Sequence, residues 1–353
     1  MLEIVRAKAK LLEKPYVYIN RDVKKRISFL NFTSSENLYA SQQIFVKIGG
    51  GSQVRLEISE DAAFELISAE TGQDTYQIVD KDSREVLISS ASLVPLEDPI
   101  LHSPGQALFN LYKSCSRNCM YCPLPLNQEK TEFMDRGRFL KEIEGLDAAK
   151  VKGIGFTSGI PGGWSYEDLI REMSQIIMAL REKYGKELTI SANPPPVGRN
   201  LIVKLQEAGL SEIRINIEVF NHDLFTKLCP GYDFEQTCEA IGNAVQIFGK
   251  NRVSTNMVIG LGETDEDVCS GIEYFARLGV ITILSPLDIV PERINDLQRL
   301  SGGGVKRPDW QRLYNLALRQ KEIFSKYGVN PLLHLRTMCG RCSSCNITPF
   351  VDF

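Results

Sequence analysis

Three cysteines on one short stretch, Cys115-Ser-Arg-Asn-Cys119-Met-Tyr-Cys122, constrain this chain more than any other feature. Thiolates at C-x3-C-x2-C spacing on a single loop can hold three corners of a [4Fe–4S] cube. The fourth iron is then open to a small molecule, which marks a reactive cluster rather than an electron-transfer one. A zinc knuckle is the competing reading, but it needs a fourth ligand and gives no role to the aromatic Tyr121 before the last cysteine. The apolar segment 107–112 reads as a strand leading into this loop.

Nine cysteines are an odd number, and six of them fall in two tight triplets, which suits metal ligation in a reducing, cytoplasmic setting better than disulfides. A net charge of −3 gives no support to a nucleic-acid surface. No apolar run approaches the ~18 residues of a membrane span, and the charged first ten residues do not form the apolar core of a secretory signal.

Residues 1–100 read as a small β-rich domain. Val54, Leu56 and Ile58 alternate with polar neighbours, and strands at 76–79 and 86–88 flank a turn at 80–83. A short helix is expected at 61–67, and Gly49-Gly50-Gly51-Ser52 reads as a turn rather than a phosphate cradle. From residue 101 to 328 the rhythm becomes strand, loop, helix. Strands are expected at 108–112, 153–157, 188–191, 213–218, 254–260 and 282–287, with helices at 166–184, 200–208, 234–248, 265–278 and 309–327. Such alternation implies parallel strands with right-handed crossovers.

The C-x3-C-x-aromatic-C loop after a first strand resembles the signature of the radical S-adenosylmethionine (SAM) enzymes, and the six strand–helix units resemble their partial (β/α)6, TIM-like barrel. The resemblance implies a [4Fe–4S] cluster and SAM as cofactors, a flavodoxin- or ferredoxin-type electron donor, and a small-molecule or peptide substrate. It also places Tyr121 against the adenine. Thr157-Ser158-Gly159-Ile160-Pro161 stands where many of these enzymes have a Gly-Gly-Glu-Pro turn for the methionine ammonium, with Ile160 replacing the acidic residue. The stretch 217–268 is similar to lipoyl synthase and, more distantly, biotin synthase. That likeness assigns Glu218, Ser254 and Asn256 to the SAM carboxylate and ribose, and Gly260 and Gly262 to a floor beneath the adenine. His222 matches a histidine of lipoyl synthase. The chain differs from lipoyl synthase in having no cysteine before Cys115 and no C-terminal Arg-Ser-Ser-Tyr segment.

Residues 329–353 instead form a cysteine tail, Cys339-Gly-Arg-Cys342-Ser-Ser-Cys345. C-x2-C-x2-C is ferredoxin-like and points to a second iron–sulfur cluster, with a mononuclear iron or zinc site completed by another thiolate or His334 as the alternative. The tail is expected to fold back across the barrel mouth. Cys238 and Cys269 read as core residues, and Cys229, in a loop, could supply a fourth ligand. The chemistry implied is hydrogen abstraction from an unactivated carbon after reductive SAM cleavage. Cobalamin-assisted methylation is an alternative, although Asp98-Pro-Ile-Leu-His102 lacks the spacing of the usual cobalamin fingerprint. A non-catalytic cluster scaffold or electron carrier is the alternative from another class.

Overall fold

The computed structural model describes residues 2–27, 43–69, 74–96, 101–127, 131–147, 150–337, 339 and 342–353; Asp98 of the near-fingerprint lies outside them. Helix α1 (Leu2–Glu13) precedes β1 (Tyr16–Ile19), α2 (Arg21–Ile27), β2 (Gln43–Gly49), β3 (Ser52–Ile58), β4 (Phe64–Ser68), β5 (Tyr76–Asp80) and β6 (Val86–Val94). The six strands close into a barrel of order β1-β3-β2-β6-β5-β4. Its interior is filled by the alternating apolar residues, among them Val54, Leu56, Leu66 and Ile78, packed with Val5, Leu11 and Leu12 of α1. The β5–β6 hairpin and the glycine turn between β2 and β3 form as the sequence indicates.

The helix expected at 61–67 is not formed. Phe64 and Leu66 point inward from β4, which pairs antiparallel with β5 and parallel with β1. Two ladders of non-local hydrogen bonds override a segment whose local pattern also suits a helical turn.

The second sheet holds β7 (Leu101–Ser103), β8 (Gln106–Asn110), β9 (Gly153–Thr157), β10 (Thr189–Asn193), β11 (Glu212–Arg214), β12 (Val253–Ile259) and β13 (Ile281–Pro286), in the order β13-β12-β11-β10-β9-β8-β7. Every pairing from β8 to β13 is parallel, and β7 adds an antiparallel edge. The crossovers carry α3 (Arg136–Glu142), α4 (Tyr166–Tyr184), α5 (Arg199–Glu207), α6 (His222–Leu228), α7 (Phe234–Phe248) and α8 (Asp265–Leu278). After β13 come α9 (Ile294–Leu300), α10 (Trp310–Tyr327) and α11 (Pro331–His334). This is a partial TIM barrel. No helix among the described residues is long and apolar enough to cross a membrane.

The two faces of this sheet differ, and that difference positions the site. Phe109, Phe156, Ile190, Ile213 and Met257 are buried in one apolar core with the helices. Asn110, Thr157 and Asn193 share one register across β8, β9 and β10, and Arg214 and Ser254 another across β11 and β12. Side chains that alternate with a buried apolar set face the barrel interior. A polar interior in a parallel sheet is a place for a ligand rather than for packing.

The tail does not cross the mouth at the strands' C-terminal ends, as expected from the sequence. Arg336 N (2.6 Å) and Thr337 Oγ1 (2.5 Å) donate to the carboxylate of Glu212, and Gln106 Nε2 donates to the Arg336 carbonyl (3.1 Å). Both anchors start their strands, so the chain passes the opposite, N-terminal edge of the sheet. It then joins the first barrel, where Arg55 N donates to the Ser344 carbonyl (2.9 Å).

Candidate active site

The loop after β8 is held by backbone bonds to its surroundings. Ser116 N donates to the Ile160 carbonyl (2.9 Å), Met120 N to that of Leu228 (2.9 Å) and Gly159 N to that of Tyr112 (3.0 Å). Gly159 permits the approach, because a Cβ there would lie 1.7 Å from the Ser114 carbonyl oxygen. Cys115 Sγ accepts from the backbone N–H groups of Arg117 and Ile160, both at 3.5 Å. Burial pushes the Cys122 thiol up to about 12, and the nearby Cys119 and Cys115 add to the effect.

This donor set fits an iron–sulfur cube. Three thiols lie on one short loop, and two backbone amides already point at one sulfur. Among the described residues, no group of three or more His, Cys, Asp or Glu side chains closes around a point for a single ion. Thiolates on one zinc would lie about 3.8 Å apart, a tetrahedral edge at the usual Zn–S length.

Beside the loop, Tyr121, Glu218 and Asn256 come together. Tyr121 hydrogen-bonds the Glu218 side chain, and Asn256 Nδ2 donates to Glu218 Oε2 (3.4 Å). Ser285 Oγ in turn donates to Asn256 Oδ1 (2.6 Å). Glu218 sits at φ +62°, a conformation that costs a non-glycine residue of order 1–3 kcal/mol and clusters at functional sites. Its backbone is pinned on both sides, by Asn256 O (2.9 Å) and Val258 N (2.7 Å). Burial pushes its carboxyl above the ordinary range. Ser158 lies next to Gly159 and donates to that residue's carbonyl (2.6 Å).

Ser254 is set apart, taking a bond from Arg214 Nε (3.4 Å). Gly260 and Gly262 pack closely against the segment 301–308. A Cβ on Gly260 would meet the Lys306 carbonyl oxygen at 2.1 Å, and one on Gly262 would meet Ser301 Cβ at 2.9 Å. Gly260 N donates to Glu263 (2.8 Å) and its carbonyl accepts from Lys306 N (3.0 Å). Close packing of the segment 301–308 leaves no room for a side chain at either position. Glu263, which sequence reasoning passes over, fixes this turn: it accepts from Gly260 N and Leu261 N, and from Arg312 Nη2 at 2.9 Å.

His222 lies outside the site, its side chain 58% exposed and beside Glu235 on the surface. Cys229 is buried against Cys119 and Tyr121, while Cys238 and Cys269 sit in α7 and α8.

The tail cysteines face a different part of the interior. A cavity of 180 Å³ is lined by Cys339, Cys342 and Cys345, by His102 and Ser103 of β7, and by Thr157, Asn193 and Arg214 at strand ends. Arg214 Nη1 donates to Cys339 Sγ (3.5 Å). Burial pushes Cys345 up to about 12, opposed by the Arg55 charge. His334, the alternative ligand, is exposed at the end of α11.

Burial also holds the His102 imidazole down at about 4, with the Arg55 charge acting in the same direction. Unfolded histidine titrates near 6.5, so the folded chain binds fewer protons between about pH 6.5 and about pH 4 and loses stability as pH falls through that window. The loss integrates to about 3 kcal/mol. Urea unfolding at about pH 7 and about pH 4.5 should show it, and His102→Gln should flatten that part of the profile.

Comparison with known proteins agrees with this geometry. Residues 109–275, from β8 into α8, match the sequence profile of the Radical SAM superfamily. The chain carries a radical SAM domain. It is 22% identical over 236 residues to the heme chaperone HemW of Lactococcus lactis, covering 65% of this chain and 61% of that protein. It is 31% identical over 205 residues to bacteriochlorophyllide c C-7(1)-hydroxylase of Chlorobaculum limnaeum, with 50% and 51% covered. Against lipoyl synthase of Corynebacterium glutamicum the figures are 25% over 180 residues, 48% of each chain. The chain thus spans about half to three-fifths of the length of these relatives. The radical SAM domain contains the Cys115 loop, Glu218 and Asn256, whereas the tail triplet lies beyond it.

Proposed function

We propose that this protein is a radical SAM enzyme that abstracts hydrogen from an unactivated carbon of a small substrate held between two cysteine triplets. One observation carries the reading: all three tail cysteines line a cavity inside the same barrel whose strand ends bear the Cys115 loop and the Glu218 cluster. Cys115, Cys119 and Cys122 would hold a cluster that, with SAM bound, would supply one-electron reductive cleavage of SAM.

The chain's own residues do the rest. Cys115, Cys119 and Cys122 anchor the cluster, and Glu218, Asn256 and Ser158 orient the nucleotide and methionine ends of SAM. The polar interior fixes the substrate, and the tail closes the barrel floor and excludes water. An external flavodoxin- or ferredoxin-type donor provides the electron. Cys339, Cys342 and Cys345 hold a second cluster, a role supported by their C-x2-C-x2-C spacing and their shared cavity.

Iron counting and Mössbauer spectra on protein with Cys115, Cys119 and Cys122 changed to alanine test the second site. About four irons per chain are expected to remain. A single iron or zinc would make the tail a mononuclear site, and no metal would reduce it to a structural loop.

A further inference from the structure

The cavity lined by the tail triplet has unpaired buried polar groups on its described lining. Arg214, only 8% exposed, donates from Nε to Ser254 and from Nη1 to Cys339, and its Nη2 is buried with no partner. His102 Nδ1 and Ser103 Oγ, which belong to the same lining, are also buried without partners. Among the described residues, no Asp or Glu side chain lines the cavity. The nearest carboxylate on the same strand, Glu212, has both oxygens taken by Arg336 N and Thr337 Oγ1. A buried guanidinium N–H left unpaired carries a desolvation penalty that a ligand acceptor would remove. Its planar fork matches a carboxylate oxygen in shape and charge.

Resting on the proposed radical SAM function, and naming the substrate class for it, we propose that this cavity takes a small carboxylic acid whose carboxylate pairs with Arg214 Nη2. His102 Nδ1 and Ser103 Oγ are further polar contacts for the bound molecule. Ala107 and Leu108 give the remaining lining an apolar character suited to a carbon skeleton. One free guanidinium N–H and two neutral groups match a single negative charge, since the Arg55 charge faces Cys345. They do not match a phosphate ester, which carries about −1.5 to −2 at neutral pH.

The test is a ¹⁹F NMR titration of the cluster-loaded full chain with trifluoroacetate, with trifluoroacetamide as the neutral probe of the same shape. Trifluoroacetate is expected to bind about tenfold or more tightly than the amide. It should be displaced by acetate and not by inorganic phosphate. Arg214→Gln should weaken trifluoroacetate binding by about the same factor, and Arg214→Lys should restore part of it. Equal affinity for acid and amide, displacement by phosphate as good as by acetate, or unchanged binding in Arg214→Gln would overturn the proposal. If Arg214→Gln fails to fold, the acid–amide comparison on the unaltered chain and the Arg214→Lys titration decide. Reductive SAM cleavage is assayed separately on the unaltered chain. Its absence beside intact carboxylate selectivity strikes the radical SAM reading and leaves the carboxylate site standing. The reverse result strikes the carboxylate site alone.

Discussion

Alanine at Cys115, Cys119 and Cys122 together is expected to abolish reductive formation of 5′-deoxyadenosine from SAM, down to the level of the protein-free reaction. The three sulfurs are the only thiols on the loop after β8, and a cube cannot be held at that place by the buried Cys229 alone. The loss should be chemical rather than structural. The loop is tied by backbone bonds from Ser116 to Ile160 and from Met120 to Leu228, which alanine leaves intact. Its outer shell is fastened by Arg293 Nη2 on Asn118 Oδ1 (2.8 Å). Urea midpoints of the triple variant and the parent, both stripped of iron, should therefore agree within about 1 kcal/mol, as expected when exposed or half-buried groups are trimmed. If 5′-deoxyadenosine persists in a clean triple variant, the loop is not the SAM-cleaving site.

How far the sequence reveals this protein depends on whether the information is local. The helices expected at 166–184, 234–248 and 265–278 coincide with α4, α7 and α8, because each carries its own stripe and cap. The α8 cap is a Thr264–Asp267 box, and α7 begins at Asp233, which accepts from Gln236 N. The cysteine loop is equally local, since spacing alone specifies its chemistry. The strand expected at 213–218 is less so. Its ladder stops at Arg214 and resumes only as a bridge at Glu218, whose left-handed backbone no composition rule anticipates.

Non-local features are the ones sequence reasoning misses. Arg214 and Ser254 join across two strands, and Arg214 meets Cys339 across 125 positions of chain. His102 belongs to an edge strand too short to show a period. Length alone allows the tail to reach either edge of the sheet, so it does not fix the tail's course. What selects the N-terminal edge is Glu212, a buried carboxylate with two donors from the tail, together with Gly153, where a Cβ would sit 2.5 Å from Thr337 Cγ2.

The same tail depends on a buried ion pair, and breaking it should cost far more stability than breaking any exposed ion pair of the chain. Lys8 Nζ lies 2.8 Å from both oxygens of Asp352, and both side chains are fully buried. Lys8 also donates to the Ser343 carbonyl (2.6 Å) and hydroxyl (3.0 Å), between Cys342 and Cys345. Asp352 accepts further bonds from Ser52 Oγ (2.6 Å), Ser343 Oγ (2.9 Å) and Thr348 N (2.7 Å). Lys8→Met keeps the length of the side chain but strands a buried carboxylate, at a cost of about 3–5 kcal/mol. Replacing both partners, Lys8→Met with Asp352→Leu, removes the charge as well as its partner and should recover much of that loss. The neutral donors left around residue 352 keep the recovery incomplete. Urea unfolding measures both variants. Iron analysis gives a second readout: Lys8→Met should lose metal from the tail while keeping the iron of the Cys115 loop, which shares no hydrogen bond with this network. A cost below about 1 kcal/mol, in the range of exposed pairs, would mean that this pair does not hold the tail. The tail would then be held by its contacts with Glu212 and β3 alone.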